Sequence, residues 1–271
     1  MSSCDSYEDL WHPFFESLDY YWKNIPYPVY LNTEHKEYVP RKNLGFAVNT
    51  INQKRDKKMT WSKRFEDVLD RIEEDYVLLI LDDFFVCDIV DPDGHIEKIL
   101  DVMEEDKSIA SFQLYGTRTR NARPEEYKQS NQLEYVELWK NGWKTHFVPT
   151  IWRKSILKKW LRPWESIWGF EGYGSERARR WKYKEKVFVV KNPPIYDYLW
   201  IKDCSAVIHG KWLNEPELKE HFKTAQIEID YTKRGQMTYQ EYVESGMADV
   251  IKRYSIWQII VKVFNRIRSF F

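Results

Sequence analysis

Apolar positions along the chain fall into short runs and helical stripes that alternate. Residues 27–34, YPVYLNTE, and 43–51, NLGFAVNTI, are apolar runs bounded by Pro, Asn and Thr, and each reads as a buried strand with a polar connection between them. Trp61, Phe65, Val68, Leu69 and Ile72 then share one helical face, with Thr60 placed as N-cap. Asp75 to Leu81, DYVLLIL, is too short for a helix and ends flush against two acids. A central parallel strand, apolar on both faces, has this pattern. Strand, helix and strand in close succession predict an α/β domain.

Beyond it, Ile96, Ile99, Leu100 and Met103 predict a helix over 93–106, and Ser108–Tyr115 a further strand. Residues 116–130 are polar and basic and read as a loop. Leu133–Trp139 alternates, Asn141-Gly142 suits a tight turn, and Trp143–Val148 completes a predicted hairpin. Short helices are expected over 154–161 and 174–182, and a strand over 186–190. In 255–271, Ile256, Ile260, Val263, Phe264, Ile267 and Phe271 line one helical face, while Lys262, Arg266 and Arg268 fall on the other side or its margins. That segment reads equally as a basic helix lying at a membrane interface and as a terminal helix docked on the core.

Composition narrows this picture. The chain has 271 residues, with 42 Lys plus Arg against 42 Asp plus Glu, a net charge of zero that argues against electrostatic capture of nucleic acid by the whole protein. Aromatic residues reach 17%, including 13 Trp, and exposed aromatic faces are common partners of sugar rings. Cys4, Cys87 and Cys204 are too few for a disulfide framework or a zinc site. No apolar leader opens the sequence and no stretch of about 20 apolar residues interrupts it, so a cytoplasmic protein is expected.

Three stretches carry candidate chemistry. Asp82-Asp83 ends the apolar run, where α/β sheets bind ligands. Paired carboxylates beside apolar sequence need a cation or hydrogen-bond donors, and hard oxygen ligands select Mg²⁺ or Mn²⁺. A solvated or helix-capping pair is equally compatible with the position. Glu171 lies in WGFEGYGS among aromatics and glycines, which suits a general base, although a Glu accepting backbone N–H groups at a helix start is the commoner case. His209-Gly210-Lys211 could place an imidazole on a metal and an ammonium on a phosphate, while a lone His is more often structural.

SCDSYEDLW at 3–11, YPVYLNTE at 27–34, WSKRFEDVLDRI at 61–72, YVLLILDDFF at 76–85, TIWRKSILKKWLR at 150–162 and WGFEGYGSERAR at 168–179 occur in an order that resembles the GT-A type glycosyltransferases of bacterial surface-polysaccharide clusters. The resemblance runs from the start to about residue 212. It implies a Rossmann-like, mixed and mostly parallel central sheet with helices on both faces, occupying 1–235, followed by a helical extension over 236–271. It implies transfer of a sugar from a nucleotide-sugar, UDP-linked, to a hydroxyl of a growing, lipid-linked glycan, with inversion, at the inner face of the plasma membrane. Asp83 and His209 map to the ligands of a divalent metal, Mn²⁺ or Mg²⁺. Asp82, Ser3, Asp5, Arg64 and Lys211 map to donor binding, Glu171 to the catalytic base, and Trp168 and Tyr173 to the acceptor platform. The pair is DD where the family spaces its acids as D-X-D, and little sequence precedes SCDSY to form a first strand. A sugar nucleotidyltransferase and a non-catalytic carbohydrate-binding protein are the alternative readings.

Overall fold

The computed structural model describes residues 1–53, 59–116, 128–130, 133–138, 143–180, 183–191 and 193–251. After a 3-10 turn at Asp5–Tyr7, the elements are α1 (Glu8–Tyr21), β1 (Val29–Thr33), β2 (Val48–Asn52), α2 (Trp61–Arg71), β3 (Tyr76–Leu79), α3 (His95–Glu105), β4 (Ile109–Gln113), β5 (Lys128–Ser130) and β6 (Leu133–Glu137). There follow β7 (Thr150–Arg153), α4 (Lys154–Trp160), α5 (Ile167–Gly169), a π-helical turn (Phe170–Gly174), α6 (Ser175–Ala178) and β8 (Lys186–Val190). The last group is β9 (Val207–Ile208), β10 (Lys211–Leu213), α7 (Pro216–Thr224), β11 (Gln236–Met237) and α8 (Tyr239–Ile251).

A six-stranded sheet has the order β3-β7-β4-β8-β6-β5, and β1 pairs with β2 in parallel. Ser2 joins the two pieces by bridging in parallel to both Asn32 and Leu81. The combined order is therefore β2-β1-Ser2-β3-β7-β4-β8-β6-β5. β7 is antiparallel to β3 and β4, β4 is parallel to β8, and β6 is antiparallel to β8 and β5. All strands but β6 and β7 thus run one way, and the sheet is mixed and mostly parallel in direction. Every residue of β4 and β7 is buried. Since neighbours along a strand face opposite sides, both faces of this sheet are covered. This is the Rossmann-like α/β architecture expected from the sequence.

Local chemistry explains the elements. Thr60 caps α2 by accepting from Lys63 N–H at 3.3 Å, and Phe65, Val68 and Leu69 turn inward. α1 buries Leu10, Trp11, Phe14, Phe15 and Leu18 despite Pro13 inside it. The expected return strand over 143–148 does not form: β7 starts only at Thr150, and β6 pairs with β5 and β8 instead. The turn predicted at Asn141-Gly142 lies outside the described residues, as does the segment 255–271. The basic stretch 116–130, read as a loop, ends in β5.

A small sheet of order β11-β10-β9 closes one end of the fold. It docks through Trp212, whose ring lies 5.7 Å from Phe85 and 5.8 Å from Phe222. β11 lies just past the boundary expected at residue 235 and pairs with β10. No helix among the described residues is long and apolar enough to cross a membrane.

Candidate active site

The C-terminal ends of the parallel strands gather the chemistry-bearing residues on one edge of the sheet. Asp82-Asp83 follows β3, and Glu34 follows β1. β7 runs the other way, with Thr150 level with Leu79, so the residues just before β7 lie at the same edge. His146 and Phe147 are among them.

Asp82 is 8% exposed, and Asp83 keeps more opening to solvent. Burial holds both carboxyl groups above the ordinary carboxylate range, and the charge of Asp83 adds to the effect on Asp82. Two donors work against this: Ser3 Oγ donates to Asp82 Oδ2, and a side-chain hydrogen bond from Ser205 reaches Asp83. Trp11 Nε1 donates to Ser3 Oγ at 2.7 Å, which fixes that hydroxyl. Arg234 adds positive charge near Asp82 and lies over the Tyr7 ring, 4.5 Å from its centroid. Asp9 and the Gly210 carbonyl hold the guanidinium there.

The chemistry of this donor set fits a divalent cation. Two adjacent, incompletely neutralised carboxylates are costly, and Mg²⁺-type ions take one or two carboxylates together with water and substrate phosphates. His209 does not complete a protein cage. It sits in a left-handed turn, φ 48°, with its ring 5.4 Å from that of Tyr242. Among the described residues, no three His, Cys, Asp or Glu side chains cluster at metal-binding spacing. Lys211 is exposed on β10, with its charge acting on Glu241 of α8.

The remaining expected donor residues form one network. Asp5 accepts backbone N–H bonds from Glu34, His35 and Lys36 at 3.0, 3.1 and 3.3 Å. Burial works to raise its pKa, but these donors outweigh it and hold the carboxyl low. Its own N–H donates to Glu34 Oε2 at 2.6 Å, and Arg64 pairs with Glu34 Oε1 at 2.9 Å. Asp5 therefore anchors the loop after β1 rather than projecting a free carboxylate, and Arg64 reaches the same loop through Glu34.

Glu171 occupies the π-helical turn, a geometry that recurs at functional sites. Its Oε1 accepts from Phe147 N–H at 3.1 Å and lies 3.3 Å from His146 Nε2. Burial raises the Glu171 pKa, opposed by the Phe147 N–H. The protein packed around His146 lowers its pKa to about 4, although 42% of that side chain remains open. A neutral imidazole thus stands beside a carboxylate with raised proton affinity.

The turn is braced from behind. Thr145 Oγ1 shares its one hydrogen between the carbonyls of Phe170 and Glu171, 2.9 Å from each, and Ser175 Oγ lies 2.8 Å away. A Cβ at Gly174 would stand 2.9 Å from Thr145 Oγ1, so glycine permits this close approach. Arg177 and Glu165 form a buried ion pair, and Arg177 also donates to Trp160 O at 3.0 Å. Trp168 is 74% exposed and Trp143 53% exposed, with the Trp143 ring 6.0 Å from His146. Tyr173 is half-buried on the same turn.

His146, Trp143, Glu34, Ser205 and Arg234 were not singled out from the sequence. Only the aromatic character of Trp143 and the isolated His146 gave any signal, since the polar partners named above for His146, Glu34, Ser205 and Arg234 lie 24 or more residues away.

No family model matches the chain, and no curated protein matches it in sequence. Among solved structures it is similar to S. aureus TarS 1–349, with a TM-score of 0.42, 11% identity, and coverage of 74% of this chain and 60% of that one. A longer S. aureus TarS chain gives 0.41 and 11%, covering 74% and 36%. CMP:2-keto-3-deoxy-manno-octonic acid synthetase complexed with CTP gives 0.38 and 15%, covering 80% and 88%. The chain spans less than two thirds of the TarS chains it resembles. With TM-scores below 0.5, function rests on the chain's own residues.

Proposed function

We propose that the chain is a metal-assisted, inverting glycosyltransferase that uses a nucleotide-sugar, UDP-linked, and a glycan hydroxyl. The carrying observation is the Asp82-Asp83 pair, Asp82 buried and Asp83 half-buried, on the same sheet edge as the Glu171–His146 pair. A divalent cation held by Asp83, with Asp82 behind it, would supply charge neutralisation for a departing diphosphate. Ser3 and Arg234 keep the acidic pair in place, and the Asp5–Glu34–Arg64 network shapes the donor side. Phe147 N–H and His146 both approach Oε1 of Glu171, which leaves Oε2 to take the proton of the acceptor hydroxyl. Trp168 and Trp143 offer exposed aromatic faces to a sugar acceptor, with Tyr173 beside them. Lys211 remains a candidate for reaching a bound diphosphate from the small sheet. The basic amphipathic pattern of 255–271 supports a lipid-linked acceptor and attachment to the inner membrane surface.

Donor hydrolysis tests this reading. Incubation with a panel of nucleotide-sugars and Mn²⁺ should release the nucleoside diphosphate slowly without acceptor and faster with one. Release of pyrophosphate from a nucleoside triphosphate and a sugar would make the protein a nucleotidyltransferase. Sugar binding with no turnover of either kind would make it a carbohydrate-binding protein.

A further inference from the structure

From Ile195 onward the chain crosses the sheet edge that carries the acidic pair. Ile195 N–H donates to Leu114 O, just past β4, at 2.9 Å. The chain then runs antiparallel to the residues that follow Asp83. Val86 and Tyr198 are bridged, Cys87 N–H donates to Asp197 O at 3.1 Å, and Leu199 N–H donates to Phe85 O at 2.8 Å. One step further in this register, Trp200 comes level with Phe84, the neighbour of Asp83. A two-residue hairpin follows at once. Ile201 and Cys204 exchange both N–H···O bonds at 2.9 Å, with Lys202 at φ 50° and Asp203 at φ 63° between them.

This hairpin fixes the direction of the Trp200 side chain. In an antiparallel ladder, residues directly opposite each other carry their side chains on the same face. Trp200 and Ser205 flank the Ile201–Cys204 pair and so share a face, and Ser205 is the residue that reaches Asp83. The indole therefore stands beside the Ser205–Asp83 contact. Its ring lies 5.7 Å from that of Tyr198, which in turn lies 4.5 Å from Phe84 and 4.2 Å from Tyr115. Phe84, Tyr115 and Tyr198 are buried, whereas Trp200 is half-buried and keeps part of its surface open. Two successive left-handed residues, neither of them glycine, are unfavourable and persist only where their surroundings hold them. Here Lys202 is tied to Glu215 at 2.6 Å and lies over the Tyr239 ring, 5.6 Å from its centroid.

We propose that Trp200 is a specificity-determining residue, whose indole packs against the sugar ring of the nucleotide-sugar donor beside the diphosphate that a cation on Asp83 would hold. The C–H groups on one face of a pyranose are apolar, and a flat aromatic surface is their natural partner. The strained hairpin presents that surface next to the metal ligand, so one element supports Asp83 through Ser205 and reads the sugar through Trp200. The nucleoside and the diphosphate make no use of the indole. This inference rests on the glycosyltransferase reading above.

The test uses two variants that keep an apolar side chain at this half-buried position. Trp200→Phe keeps a flat ring, and Trp200→Leu does not. Isothermal titration in the presence of Mn²⁺ gives Kd for UDP, UDP-glucose, UDP-galactose and UDP-N-acetylglucosamine with the parent and both variants. Trp200→Leu should weaken the UDP-sugar that the parent binds by about three- to tenfold and UDP by less than about twofold, while Trp200→Phe recovers most of the loss. Equal losses for UDP and the UDP-sugar would make Trp200 a support of Asp83 and overturn the proposal. So would a UDP-sugar affinity untouched by Trp200→Leu, equal losses in the two variants, failure of both variants to fold, or a parent that binds UDP and none of the three UDP-sugars. A parent that binds neither UDP nor any UDP-sugar with Mn²⁺ would remove the glycosyltransferase reading and this proposal with it. In the other cases that reading stands and only the role of Trp200 falls.

Discussion

Asp82 and Asp83 are held in a state that costs stability until something offsets their charge. Removing one charge should therefore help the fold and harm ligand binding. Asp83→Asn is expected to raise Tm in the absence of metal and to abolish the Tm increase that Mn²⁺ with UDP should give the parent protein if the proposed function holds, as read by differential scanning fluorimetry. A variant that still responds fully to Mn²⁺ would remove Asp83 from the metal site. Glu171 makes the complementary prediction. Glu171→Gln keeps shape and donor affinity, while transfer falls about 10²–10⁴-fold because an amide cannot accept the proton. In the parent, the base acts only when deprotonated, so activity falls as pH drops through its pKa. Burial raises that pKa, which places the acidic limb above the ordinary 4.5. A limb at or below 4.5, or near-normal turnover of the variant, would return Glu171 to a structural role.

The turn that carries Glu171 is positioned by contacts outside it. Thr145→Val removes the donor to both Phe170 and Glu171 carbonyls without changing side-chain size much. Turnover should fall roughly ten- to hundredfold with donor affinity retained, since small misplacements of a catalytic group have effects of that size. An unchanged kcat would show that the turn holds itself. Arg177→Ala leaves the Glu165 carboxylate buried without this partner and should destabilise the protein by about 3–5 kcal/mol, measured by urea unfolding. A loss below about 1 kcal/mol, the range of an exposed pair, would mean that water reaches Glu165.

Across the whole molecule, the small sheet and the long sheet meet where the acidic pair lies. Arg234 clasps Asp9 across 225 residues of sequence, and Ser205 reaches Asp83, so docking of the C-terminal part helps set the electrostatics of the site. Cutting the chain after residue 250 retains Arg234 and Ser205. Such a protein should keep turnover on a soluble acceptor analogue and lose sedimentation with anionic vesicles, because the basic and aromatic pattern of 255–271 is removed. Unchanged vesicle binding, or loss of folding, would refute the interfacial role of that segment.

The apolar run Tyr76–Leu81 ending on two acids was legible as a strand delivering Asp82-Asp83 to a sheet edge, but not as the central parallel strand buried on both faces that its pattern suggested: β3 ends the six-stranded sheet, is antiparallel to β7, and of its four residues only Leu79 is buried. Thr60 and the stripe of Phe65, Val68 and Leu69 likewise marked α2 through capping and period alone. α1 also carries a helical stripe, from Leu10 to Leu18, with Pro13 inside it. The segment 143–148 followed a turn signal and was expected as the returning strand, yet it forms no strand: its backbone serves the Glu171 turn, with Thr145 and Phe147 bonded there. The pairing of Glu171 with His146 and of Asp9 with Arg234, and the anchoring of Asp5, were invisible in the sequence. Local pattern fixes which residues favour a helix or strand and which face is apolar, since those preferences act over a few neighbouring residues. Which polar groups meet at one edge depends on strand order, register and the docking of distant elements, and these are set by the burial of the whole chain.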